Sequence, residues 1–123
     1  MADDAGSNSK RLAARPQPLP VEYQNVGSDE RLPGFLSEMT VAGAMLEPAR
    51  GVPLELGARL RVFVRPLGID DEFALRSVVR WERRTGSGVQ FFKLGEREVH
   101  MLMELIAAAE AVARTSGPTR RTA

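Results

Sequence analysis

Cysteine is absent from this 123-residue chain, and histidine occurs once, at His100. Without cysteine there are no disulfides, no thiolate nucleophile and no Cys-ligated zinc, a composition that suits the cytoplasm. One histidine leaves few ways to assemble a metal centre or a nucleophile–base pair. Long apolar runs are also missing. No stretch approaches the roughly 18 residues of a membrane span, and the N-terminus MADDAGSNSK has no apolar core of a secretory signal. A run of three carboxylates occurs only at Asp70-Asp71-Glu72, in an expected turn where such groups are solvated, with no companion ligand set for a metal. Gly86-Ser87-Gly88 has phosphate-loop composition but joins two strands and opens onto no helix, so a hairpin loop over Thr85–Gly88 is expected. No catalytic residue, metal site or cofactor is expected.

What remains is an ordinary globular composition, 43% apolar, with a formal net charge of +1. That charge is unevenly divided. Residues 1–17 carry +1 and residues 114–123 carry +3, whereas residues 18–113 hold 11 basic and 14 acidic groups, a net of −3. The two ends are rich in Ser, Thr, Gly and Pro, which predicts a flexible N-terminal arm over 1–17, a folded body over 18–113 and a disordered basic tail over 114–123. A weakly acidic body argues against duplex binding, which needs a positive face.

Period-two patterning dominates the body. Residues 18–26 alternate as a strand beginning near Pro20. Residues 31–40 read as a strand interrupted at Pro33-Gly34, Val41-Ala42-Gly43 as a bend, and Ala44-Met45-Leu46 as a strand ended by Pro48. Leu60, Val62 and Val64 share one face of the next strand, opposite Arg59, Arg61, Phe63 and Arg65. After a turn over 66–71, Phe73, Leu75, Ser77, Val79 and Trp81 form one apolar face, and Val89–Phe92 return. From residue 96 the period becomes helical. Val99, Leu102, Ile106, Ala109 and Ala113 fall on one stripe, Gly95 is placed to cap it, and Glu96 and Glu98 complement the helix dipole. The sum is an all-β fold, a six-stranded antiparallel barrel with one C-terminal α-helix over an opening.

Two groups of residues carry binding chemistry. Arg11 and Arg15 sit four apart in the arm, and guanidinium forks bind phosphate or the O6/N7 edge of guanine bidentately. The same spacing recurs at Arg61/Arg65, Arg76/Arg80 and Arg80/Arg84, where it reads as a solvated face. Glu38 and Thr40 place a carboxylate and a hydroxyl two residues apart, with Gly43 following at a bend. A carboxylate accepts from guanine N1–H and N2–H₂. A strand end with a turn glycine is the simpler reading of that spacing.

Together these features resemble the PilZ domain, a bacterial receptor module for cyclic di-GMP. The family pattern is an R-x-x-x-R arm followed, about 20–30 residues later, by [D/N]-x-S-x-x-G. Arg11 and Arg15 match the arm, and Pro18–Tyr23 looks like its passage into the first strand. Glu38, Thr40 and Gly43 stand at the second motif, with Glu for Asp or Asn and Thr for Ser. Ser77–Trp81 through Gly86–Phe92 resembles the family's late hairpin, and the likeness spans about residues 10–107. It implies a non-catalytic cyclic di-GMP receptor in which Arg11, Arg15, Glu38, Thr40 and Gly43 hold the nucleotide, and in which ligand changes the surface shown to a protein effector in motility, exopolysaccharide or developmental control. A displaced hydrogen bond at Glu38 would cost about 1–3 kcal/mol. The alternative is therefore a degenerate PilZ domain that binds no nucleotide and works through protein contacts, with Phe63, Met101 and Met103 either touching a partner or closing the core. A nucleic-acid-binding barrel is the third reading. It is disfavoured because Tyr23, Trp81 and the five phenylalanines are expected mostly in the core. Neither nucleic acid nor membrane insertion is expected.

Overall fold

The computed structural model describes residues 18–50, 53–66 and 70–116. The expected arm over 1–17, residues 117–123 of the expected basic tail and the tip of the turn at 67–69 lie outside the described residues, as do the side chains of residues 112–116. Residues 114–116, expected in the tail, continue the C-terminal helix, which ends at Ser116.

Six strands and one helix follow in chain order: β1 (Leu19–Asn25), β2 (Leu32–Ser37), β3 (Gly43–Pro48), β4 (Arg59–Val64), β5 (Phe73–Arg83), β6 (Gly86–Phe91) and α1 (Glu96–Ser116). All pairings are antiparallel. The order β1-β2-β3-β6-β5-β4 closes through the β1–β4 pair, where Glu22 faces Phe63 and Tyr23 faces Val62. Closure removes every free sheet edge. Pro33-Gly34 does not interrupt β2, which pairs continuously with β1 from Leu32 to Leu36.

Alternation fills the interior. Val21 and Tyr23 from β1, Leu36 from β2, Ala44 and Leu46 from β3, Leu60, Val62 and Val64 from β4, Phe73, Leu75 and Val79 from β5, and Val89 and Phe91 from β6 form one buried cluster. Ser77, the polar member of the inward row of β5, donates its hydroxyl proton to the Leu75 carbonyl at 3.0 Å, so its burial leaves no orphan donor. Leu54, from the connection between β3 and β4, joins the cluster.

Helix α1 starts as its sequence indicates. The Gly95 carbonyl accepts the Val99 N–H at 3.0 Å, and the Glu98 carboxylate accepts the Gly95 N–H at 2.8 Å, one arm of a capping box. Leu102 is buried in the core as expected, but Met101 is buried with it, and Leu105 packs against the cluster from the same side. Met101 thus closes the core, whereas Met103 is exposed. Arg97 pairs with Asp71 at 3.1 Å and lies 4.9 Å over Phe73, which seats the helix start over the barrel end where β5 begins.

Two expectations about the late hairpin need correction. Its turn is Arg84-Thr85, so Gly86, Ser87 and Gly88 belong to β6 and not to the loop. Trp81 does not continue the inward row. Val79 faces Val89, but Trp81 faces Gly88, so Arg80 is an extra residue, a β-bulge. The bulge shifts the alternation by one and turns Trp81 to the outer face, where it is 45% exposed.

Across the closing seam, Arg31 links three elements. It donates to Glu72 at 2.6 Å, pairs with Glu22 on β1 at 2.9 Å, and lies 3.6 Å over the half-buried Phe63 ring of β4. The hydrogen bond from Arg31 is the main cause that lowers the Glu72 pKa, with Arg65 adding attraction from 3.7 Å. A carboxylate lowered in the native state contributes stability that is complete above its unfolded range and is lost as the pH falls through its native value. Thermal unfolding followed from neutral pH to well below about pH 4.3, the ordinary glutamate value, should show Glu72→Gln less stable than the parent at neutral pH, with the two converging in acid. Parallel curves would show that Glu72 does not titrate against Arg31.

Candidate functional site

Glu38, Thr40 and Gly43 converge on the outer wall of the barrel. They line an open groove of about 430 Å³ with Ala42, Met45, Trp81, Arg83 and Gln90. Each arrives for a local reason. The chain leaves β2 through Glu38, whose φ of 51° lies in the left-handed region, at a cost of about 1–2 kcal/mol for an ordinary side chain. Asp and Asn visit that region more readily. The Asp or Asn of the motif discussed above therefore suits the backbone here, and Glu38 replaces it against that preference. Its carboxylate reaches across the groove to Arg83 at 3.4 Å, both side chains being more than half exposed.

Thr40 closes the bend that follows. Its Oγ1 accepts the N–H groups of Ala42 and Gly43, each at 3.1 Å, and donates to the Gly43 carbonyl at 3.2 Å, while the Thr40 N–H donates to that carbonyl at 2.8 Å. A hydroxyl has one proton and two lone pairs, and all three are engaged. Thr40 shapes the lip of the groove and has no bond left for a ligand in this arrangement. Gly43 is required by packing: a Cβ there would overlap the Val89 carbonyl oxygen of β6. The close approach that Gly43 permits is thus between two strands of the barrel.

Three groove residues were not singled out from the sequence: Trp81, Arg83 and Gln90. The indole of Trp81 lies across Gly88, where a Cβ would overlap the ring. Met45, Gly88 and Trp81 are register partners in one row over β3, β6 and β5. That row explains how Met45, on the outer face and outside the interior cluster, is nevertheless buried. A signal for the bulge does exist. With a two-residue turn at Arg84-Thr85, regular pairing would set Val79 opposite Gln90, and only one extra residue restores Val79 to Val89. The aromatics are also less committed to the core than expected. Tyr23, Phe73 and Phe91 are buried, but Phe63 and Phe92 are half-buried, and Phe35 and Trp81 are exposed. Arg11 and Arg15 lie outside the described residues.

Among the described residues no group of three or more His, Asp or Glu side chains is placed to hold a metal, and no helix is long and apolar enough to cross a membrane.

Comparison with known proteins agrees with this geometry. A family model described as the PilZ domain matches residues 9–108, a range that includes Arg11, Arg15 and every described groove residue. Among solved structures, the barrel is similar to the PilZ domain of CeSA from a cellulose-synthesizing bacterium. That likeness has a TM-score of 0.60 at 15% identity and covers 77% of this chain and 95% of that one. At that identity it shows the shared fold. No curated protein matches the chain.

The groove's backbone geometry predicts opposite effects from two substitutions. Glu38→Asn relieves the left-handed strain and gives up only an exposed ion pair, so chemical denaturation should find it more stable by up to about 1 kcal/mol. Gly43→Ala forces β3 away from β6 and should cost about 1–3 kcal/mol. A neutral Gly43→Ala would contradict the packing assigned to that glycine.

Proposed function

The chain belongs to the PilZ domain family, a family of cyclic di-GMP receptor modules, and from that premise we propose that it is a non-catalytic receptor that binds cyclic di-GMP in the groove between β3, β6 and β5. The observation that carries this reading is the convergence of Glu38 and Gly43 with an exposed Trp81 and Arg83 around one groove of about 430 Å³. The outer indole face offers a guanine a stacking surface, worth about 1–3 kcal/mol per base. The Glu38 carboxylate accepts from the guanine N1–H and N2–H₂ edge, and Arg83 supplies a cation for phosphate.

The arm supplies the remaining contacts. Leu19 pairs with Leu36, two residues before Glu38, so the arm joins the barrel at the groove's lip. Arg15 stands four positions before Leu19, a reach of at most about 14 Å, and Arg11 eight positions before it, at most about 29 Å. Arg11 and Arg15 are then within range to clasp guanine edges or phosphates over the groove. Ligand would order the arm, with the binding energy offsetting the entropy lost. The altered surface would be read by a protein effector in the control of motility, exopolysaccharide or development.

One observation favours a second reading, a degenerate PilZ domain that acts only through protein contacts. The Glu38 carboxylate already has a partner in Arg83 at 3.4 Å, and a guanine must compete for it. Isothermal titration with cyclic di-GMP separates the two. The receptor reading expects saturable heat that Arg15→Ala removes and that Trp81→Ala weakens about tenfold to a hundredfold. No heat at tens of micromolar protein, with the fold intact, would overturn the receptor reading and favour the second.

A further inference from the structure

A strongly basic face lies beside the groove, on the outer side of β4, β5 and the end of β6. Arg59 and Arg61 project from β4, Arg76 and Arg80 from β5, and Lys93 follows β6; all five are exposed. The register sets Arg61 directly opposite Arg76. Like charges so placed destabilise a sheet, and an acidic residue at either position would be the stabilising choice. Elsewhere on the barrel and its helix Arg31, Arg65, Arg83 and Arg97 each have a carboxylate within ion-pair distance, whereas Arg50 and Arg84, each in a turn, have none among the described residues. Among the described residues none of the five on this face has one. Glu98 borders the hollow lined by Arg61, Arg76 and Lys93, and one of its oxygens is engaged by the Gly95 N–H.

Two of the guanidiniums are held in place. Arg76 donates to the Lys93 carbonyl at 3.1 Å, and Arg80 donates through Nε to Gln90 Oε1 at 2.7 Å. Held forks lose little freedom when they bind, and their remaining N–H groups suit carboxylates or phosphates. The surroundings choose between these. Phe92 is half-buried with Arg59 lying 5.8 Å over its ring, and Phe63, next to Arg61 along the outer side of β4, is half-buried with Arg31 3.6 Å over its ring, so neither ring is free for a nucleobase. Of the large exposed apolar side chains, Val26 adjoins Arg59, whose carbonyl accepts its N–H at 3.0 Å, while Phe35, Val41 and Met103 lie on β2, the bend after it and α1, and Trp81 leans over Gly88, so no broad apolar patch is offered to a bilayer. The body's net −3 already includes these five positive charges, so the rest of it carries −8, which repels an extended polyanion but tolerates a short acidic segment that covers only the patch.

We propose that this face docks an acidic segment of a partner protein, seating carboxylates between Arg61 and Arg76 and beside Arg59 and Arg80. The proposal is independent of nucleotide binding, because none of the five residues lines the groove that holds Glu38 and Trp81.

The test uses the full 123-residue chain, nucleotide-free, with amide shifts followed by NMR during titration with a synthetic oligo-glutamate peptide. Parallel titrations use oligothymidine and phosphatidylserine vesicles. The expected result is a cluster of shifts at residues 59–61, 76–80 and 93, weakened at least about tenfold in Arg61→Gln/Arg76→Gln, with cyclic di-GMP titration unchanged in that variant. Arg61→Glu should lose the peptide and raise the melting temperature by about 1–6 °C, because the like-charge pair becomes an opposite-charge pair. Shifts confined to the termini would overturn the proposal. So would tighter binding of oligothymidine or vesicles at this face, self-association of the protein through it, or a lower melting temperature for Arg61→Glu.

Discussion

One inserted residue governs what this barrel shows to solvent. Up to Val79, β5 alternates in step with β6, and Arg80 then breaks the step. Without that bulge Trp81 would point into an interior where Leu46, Val79 and Val89 are already fully buried, and a large indole there would strain a close-packed core. With it, the indole crosses Gly88 on the outer wall, and Arg83 points outward far enough to meet Glu38. The groove, its aromatic floor and its cation all follow from the same displaced alternation.

The second wall of the groove is set by backbone requirements. Thr40 engages all its hydrogen-bonding capacity in the bend that leads to Gly43, and Gly43 lets β3 lie against Val89 of β6. These two motif residues therefore act first as structural parts, which hold the lip on which Glu38 is presented. A motif read only as a set of ligand contacts misses this division of labour. It also explains why Thr can stand for Ser here: the bonds made by its hydroxyl are bonds a serine hydroxyl would also make.

Much of the fold was legible because its signals are local. The inward rows Leu60-Val62-Val64 and Phe73-Leu75-Ser77-Val79 follow from strict alternation, and the start of α1 follows from Gly95 with Glu98. Closure into a barrel was legible only from strand number and confirmed by the β1–β4 pairing. The bulge was hidden because alternation continues through S-V-V-R-W-E as though unbroken, and only the position of the turn at Arg84-Thr85 betrays it. Met101 stood open between a partner contact and the core because it flanks the apolar stripe, and the end of the barrel accepts a wider face than one row. The basic face was hidden for another reason. Net charge sums over all faces, and a body of −3 gave no hint that β4 and β5 set two arginines against each other.

Trp81 is the protein's only tryptophan, so its emission reports the groove and nothing else. The central claim is that this side chain forms an exposed floor on which a guanine of cyclic di-GMP stacks. The most direct measurement is acrylamide quenching of tryptophan fluorescence with and without saturating cyclic di-GMP. The account predicts a readily quenched indole in the free protein that the nucleotide shields and whose emission it changes. An indole inaccessible to acrylamide from the outset, or one indifferent to the nucleotide under conditions where calorimetry shows binding, would contradict it.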